Sequence, residues 1–238
     1  IFIAPVFTGL EYASFLAFGV GTWQARTVPA ASGVLAVALL AAGLAIASGR
    51  RAALVGGCLL ATNYVFVMWN RAALMESTMT ALIVASWTAY TVAERRPAAG
   101  AVAGFAVVLA WFTKASAAFF LPALVLDAVA TIVLARWTAF SRRLAVAAPT
   151  PKAEQAAAWP LAGLALGGAM ALALFVLPYW EEYRFYNWEM TVARKPEYSV
   201  TALLDRASWL PIVHDFFTRM WMVPVVSVIT MASAACST

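Results

Sequence analysis

Eight long apolar runs, near 2–20, 29–48, 53–69, 78–93, 98–112, 115–135, 158–180 and 211–235, constrain this chain more than any other feature. A helix needs about 20 apolar residues to cross a hydrocarbon layer, and most of the runs approach that length. None shows the strict alternation of a membrane β-strand. Within lipid, backbone N–H and C=O groups must be satisfied inside the segment itself, which leaves helices. The runs therefore predict an all-α fold: a polytopic membrane helical bundle with about seven to eight spans.

Composition agrees. The 238 residues are 64% hydrophobic and 11% charged, with a mean hydropathy of +0.83. A soluble domain is about 45–50% apolar and about 25% charged. The net charge of +5 comes from Lys and Arg in the connectors, so it speaks to membrane orientation and not to nucleic acid. Cys58 lies in an apolar run and Cys236 near the end, with no metal-ligand spacing. The chain opens Ile1-Phe2-Ile3 and ends Ala234-Ala235-Cys236-Ser237-Thr238. It is read as one transmembrane domain, 1–238, taken from a longer membrane protein.

The connectors set the orientation. Arg50-Arg51, Arg95-Arg96, and then Arg136, Arg142, Arg143 and Lys152 fall on one side. By the positive-inside rule that side is cytoplasmic, and it holds a polar loop at about 136–157. The opposite, external side carries solitary cations, Arg26, Arg71 and Lys114, with Glu76 and a loop at about 181–210. An isolated cation at a helix end commonly snorkels to lipid headgroups. Three on one face, with a carboxylate, point instead to a site for an anionic ligand.

Position refines these roles. Arg71 and Glu76 would lie roughly 140° apart on one continuous helix, so they would not share a face. The spacing predicts Arg71 in a connector and Glu76 in the first turn of the next helix, where the macrodipole favours an anion. Lys114 stands in Trp111-Phe112-Thr113-Lys114-Ala115 without Gly or Pro. Its ammonium needs an anionic partner or water. Arg26 precedes Pro29, which is expected near the start of the next helix. The aromatic and charged segment 178–189 includes Glu182 and Tyr183, which suit either interfacial anchoring or sugar contact. His214, the sole histidine, stands beside Asp215. No metal constellation, Walker motif, G-x-G-x-x-G or G-x-S-x-G is present; a divalent metal has no support in the sequence.

These same residues carry a family resemblance. Phe18-Gly19-Val20-Gly21-Thr22-Trp23-Gln24-Ala25-Arg26-Thr27-Val28-Pro29, Asn70-Arg71 to Glu76, and Phe112-Thr113-Lys114 resemble, in order and spacing, three elements of the dolichyl-phosphate-mannose protein mannosyltransferase superfamily. That group comprises GT-C glycosyltransferases of family 39 and their bacterial aminoarabinose-transferase-like relatives. The resemblance covers roughly residues 1–135. It implies a multi-pass enzyme of the bacterial inner or plasma membrane. It also implies a polyprenyl-phosphate-linked sugar donor and transfer to a protein or lipid acceptor on the external face. Arg71, Lys114 and Arg26 would hold the donor phosphate, and Glu76 would support the site. Glu182, Tyr183 and His214 are further positions for sugar or acceptor contact. The main catalytic acid is expected ahead of residue 1, which would leave this stretch inactive alone.

Two other readings compete. A transporter or flippase for an anionic lipid or solute would also place charges among helices, but it favours broken helices, midplane charges and internal repeats. A scaffold subunit would leave the three cations facing lipid.

Overall fold

A computed structural model describes residues 4–136 and 151–193, with isolated positions between 205 and 218. Among the described residues the regular structure is entirely helical. Contacts divide the chain into two units, 1–180 and 181–238.

The first unit opens with α1 (Pro5–Phe18), α2 (Thr22–Ala47), α3 (Arg50–Thr62) and α4 (Tyr64–Asn70). It continues with α5 (Met75–Ala93), α6 (Ala99–Thr113), a 3-10 turn (Ala115–Phe119) and α7 (Phe120–Arg136). After the undescribed 137–150, α8 (Pro151–Ala171) runs into a π-helical turn (Leu172–Val176). The helices follow seven of the apolar runs, while 211–235 lies almost wholly outside the described residues. Among the described residues, three helical segments are long and apolar enough to cross a membrane alone: Thr22–Ala47, Ala115–Val133 and Ala157–Val176. The pair α3 and α4, bent by 63° at Asn63, makes up to a fourth. This number is smaller than the seven to eight spans expected. One reason is that α6 is short; another is that α5 carries Ser and Thr where a simple span would carry Leu.

Those polar residues are what make α5 the middle of the bundle. It packs between α2 and α6, and α6 in turn packs on α8. Ser86 donates to the carbonyl of Ala103 at 2.8 Å, and Thr88 to that of Leu39 at 2.9 Å. Ser32 and Thr78 share a hydrogen bond of 3.0 Å across α2 and α5. Lipid tails are as apolar as Leu, so helices in a membrane associate through close packing and such bonds, worth about 0.6 kcal/mol each on average.

The α6–α8 crossing is the closest. A Cβ on Gly104 would stand 1.9 Å from the Pro160 carbonyl oxygen, and one on Gly163 would stand 2.0 Å from that of Ala101. Only glycine lets the two backbones meet at this distance.

Two breaks differ from the sequence reading. The run 53–69 is not one straight helix. Asn63 has extended backbone, and its Oδ1 accepts the Phe66 N–H at 2.9 Å, so a side-chain cap restarts the helix as α4. Helix α2 begins at Thr22, well ahead of Pro29, which is buried inside it. Arg26 is therefore a residue of the early α2 helix and not of a connector. Proline in a membrane helix is tolerated where neighbouring helices re-satisfy the freed carbonyl.

In the second unit, α9 (Trp180–Arg184, at the unit boundary) passes into a π-helical stretch (Phe185–Ala193). Part of the expected external loop, 181–193, is thus helical.

Candidate functional site

Four elements converge at one end of the first unit: the start of α2, the end of α4, the start of α5 and the end of α6. Each brings one of the residues singled out from the sequence.

Arg71 caps the C-terminal end of α4, its N–H bonded to the Met68 carbonyl at 3.3 Å. The chain then turns tightly, with Ala72 N–H on Trp69 O at 3.2 Å and Leu74 N–H on Ala72 O at 2.9 Å. Helix α5 starts at Met75, which puts Glu76 in its first turn. Arg71 and Glu76 therefore divide between connector and helix start, as their spacing requires.

Lys114 is the single extended residue (φ −158°, ψ 131°) between α6 and the 3-10 turn. Its Nζ donates a hydrogen bond to Glu76 Oε1 and forms an ion pair with it. The anionic partner that an ammonium needs at this depth is thus supplied from α5. The Lys114 and Glu76 side chains remain 35% and 29% exposed, so the pair stands at the rim and not in the core. Glu76 precedes the apolar run that begins at Thr78. Burial alone pushes its carboxyl up; the hydrogen bond from Lys114, a backbone bond and the Lys114 charge outweigh this, and the group sits below its ordinary value.

Arg26 and Arg71 meet elsewhere at the same end. Both line a cavity of about 410 Å³ whose other walls are Tyr64, Val67, Met68 and Ala72. Two arginines lining one cavity with an aromatic and aliphatic wall suit an amphiphilic anion: a phosphate for the cations and a hydrocarbon for the wall. The three cations thus split into an arginine cavity and a lysine–glutamate pair.

Around them lie buried polar atoms whose surroundings the sequence did not reveal. Among the described residues, Asn70 Oδ1, Glu76 Oε2 and Ser77 Oγ are buried without a hydrogen-bond partner, and Ser77 is only 3% exposed. The Asn70 amide lies so close to α2 that a Cβ on Gly33 would stand 2.4 Å from its Cγ. An Asn just after the apolar run 53–69 was the available signal for Asn70. Further along, Tyr90 donates to Asp127 Oδ2 between α5 and α7. Asp127, a carboxylate within an apolar helix, also escaped the sequence reading.

Glu182, Tyr183 and His214 belong to the second unit and are described within it. Glu182 lines a cavity of about 440 Å³ with Glu181, Arg184, Phe185, Tyr186 and Glu189, where Arg184 Nη2 pairs with Glu189 Oε1 at 3.3 Å. His214 is exposed, and its carbonyl accepts from Thr218 Oγ1 at 2.8 Å. Among the described residues no group of three or more His, Cys, Asp or Glu side chains gathers to hold a metal.

The molecule is an all-helical, polytopic membrane protein that collects its isolated cations and one carboxylate at one end. Residues 4–148 match the family model of the dolichyl-phosphate-mannose-protein mannosyltransferases. This is well over half the chain, and the chain belongs to that family of membrane glycosyltransferases. No curated protein and no solved structure matches it.

Proposed function

We propose that the protein moves a sugar from a polyprenyl-phosphate donor to a protein or lipid acceptor on the external face of the membrane. The observation that carries this reading is the cavity shared by Arg26 and Arg71, with its apolar wall. In the transfer, the bond between the anomeric carbon and the phosphate oxygen breaks. A new glycosidic bond forms to an acceptor hydroxyl, whose proton passes to a base. Negative charge grows on the departing lipid phosphate, and fixed cations lower the barrier by meeting it. Arg26 and Arg71 supply that charge directly. Lys114 is neutralised by its ion pair with Glu76, so its part is to order the α5–α6 rim of the site and not to add net charge. Because Lys114 engages Glu76, its carboxylate is better suited to supporting this arrangement than to serving as the free base an acceptor hydroxyl requires.

Among the described residues, the bent α3–α4 pair and Asp127 within the apolar helix α7 favour a transporter or flippase. One experiment separates the two. The full-length protein is reconstituted in liposomes and given a labelled polyprenyl-phosphate sugar and an acceptor extract. The glycosyltransferase reading expects labelled acceptor, and a loss of about 100-fold or more in kcat/KM for Lys114→Ala and for Arg71→Gln at unchanged expression. Movement of the labelled lipid between leaflets with no transfer would sink it.

A further inference from the structure

Where α4 packs on α2, the tightest approach on Gly33 is that of Asn70. Arg26 and Gly33 are seven residues apart on α2, so they share a face, separated by about 10 Å along the axis. Buried Pro29 lies on that face between them. Against Gly33 lies the amide of Asn70, with a hypothetical Cβ at 2.4 Å from both Cγ and Nδ2. Asn70 is the last residue of α4, and Arg71 follows it directly. Whatever fixes Asn70 on α2 therefore fixes Arg71 relative to Arg26. The short hydrogen-bonded turn at 71–74 leaves little slack in between.

A hydrophobic contact would not pin α4 this way, because its two faces differ little in their affinity for lipid. The side-chain amide is different. Among the described residues its Oδ1 is buried without a partner, an unfavourable arrangement that persists only when the surroundings dictate it. Gly33 provides the notch, since any side chain there would collide with the amide.

We infer that Asn70 is a positioning residue. Lodged in the Gly33 notch, it sets the register of α4 on α2 and so brings the guanidiniums of Arg26 and Arg71 to one cavity. Its effect is on affinity for the lipid phosphate and not on the bond-making step. This inference rests on the donor reading given above and assigns that site a residue that touches neither the sugar nor the phosphate.

The test uses the full-length protein in lipid nanodiscs, with a polyprenyl phosphate as the binding probe and the polyprenyl-phosphate sugar as substrate. Asn70→Ala and Gly33→Ala should each weaken binding of the probe and raise the donor KM by roughly tenfold, with kcat within about twofold. That is less than the hundredfold that a 1 Å misplacement can cost at a reacting centre. The double variant should be no worse than either single one, because both changes act on the same contact. Asn70→Ala decides alone should Gly33→Ala fail to accumulate. Wild-type affinity in Asn70→Ala, a fall in kcat at unchanged KM, or multiplied effects in the double variant would each overturn the positioning role. The donor reading fails separately, if the wild-type protein binds polyprenyl phosphate no better than the uncharged polyprenol.

Discussion

Lys114, at the one-residue break after α6, donates to Glu76 in the first turn of α5, and this pair ties the two central helices together at the rim of the bundle. Neither residue is deeply buried, so the bond lies between two regimes. Exposed pairs contribute about 0.2–1 kcal/mol, whereas removing one partner of a buried pair costs about 3–5 kcal/mol.

A double-mutant cycle locates it between them. Glu76→Gln and Lys114→Met should each lower the melting temperature in detergent by a few degrees. The pair together should lose less than the sum, a coupling of about 1 kcal/mol. Strict additivity would show that the ion pair contributes nothing to stability.

The pH dependence has a definite sign. The Glu76 carboxyl is lower in the folded protein than its ordinary value of 4.5, so the unfolded chain binds the proton more tightly. The stabilisation from this group is complete above about pH 4.5 and is lost as pH falls through the lower folded value. Melting temperatures taken from pH 7 to pH 3 should therefore fall further for the wild type than for Glu76→Gln. Parallel curves would contradict a lowered Glu76 carboxyl in the folded state.

The α6–α8 crossing makes a sharper stability prediction. Gly104→Ala and Gly163→Ala place a Cβ about 2 Å from a backbone oxygen, where no side chain can yield. Each should destabilise the protein by about 2 kcal/mol or more through forced backbone shifts. Gly168 has nothing within 4 Å of its would-be Cβ. Gly168→Ala should be neutral or stabilising by a few tenths to about 1 kcal/mol. Thermal unfolding of the three variants side by side checks the contrast, and equal effects would discount the close approach.

Helix existence was legible because it depends on local pattern: seven runs produced helices near where they lie in the sequence. Helix breaks were less so. The cap at Asn63 turns on one residue within an apolar stretch, which average hydropathy does not register, and the early start of α2 falls in the polar segment between two runs. Within the site, Arg26, Arg71, Glu76 and Lys114 were all visible as isolated charges between apolar runs. Their partners were not. The pairing of Lys114 with Glu76 spans two helices, and the seat of Asn70 on Gly33 is a contact between two uncharged residues far apart in sequence.

The sequence by itself determined the solvent and the scaffold. So apolar a chain has to satisfy its backbone within helices in lipid, and most of its few charges fall near the ends of those helices. Tertiary structure decided which charges meet. Arg26 joins Arg71 around a cavity, while Lys114 is engaged by Glu76, because the packing of α2, α4, α5 and α6 sets distances that no local pattern encodes. That packing depends in turn on small residues and single hydrogen bonds, since in a membrane apolar surface alone does not select one neighbour over another.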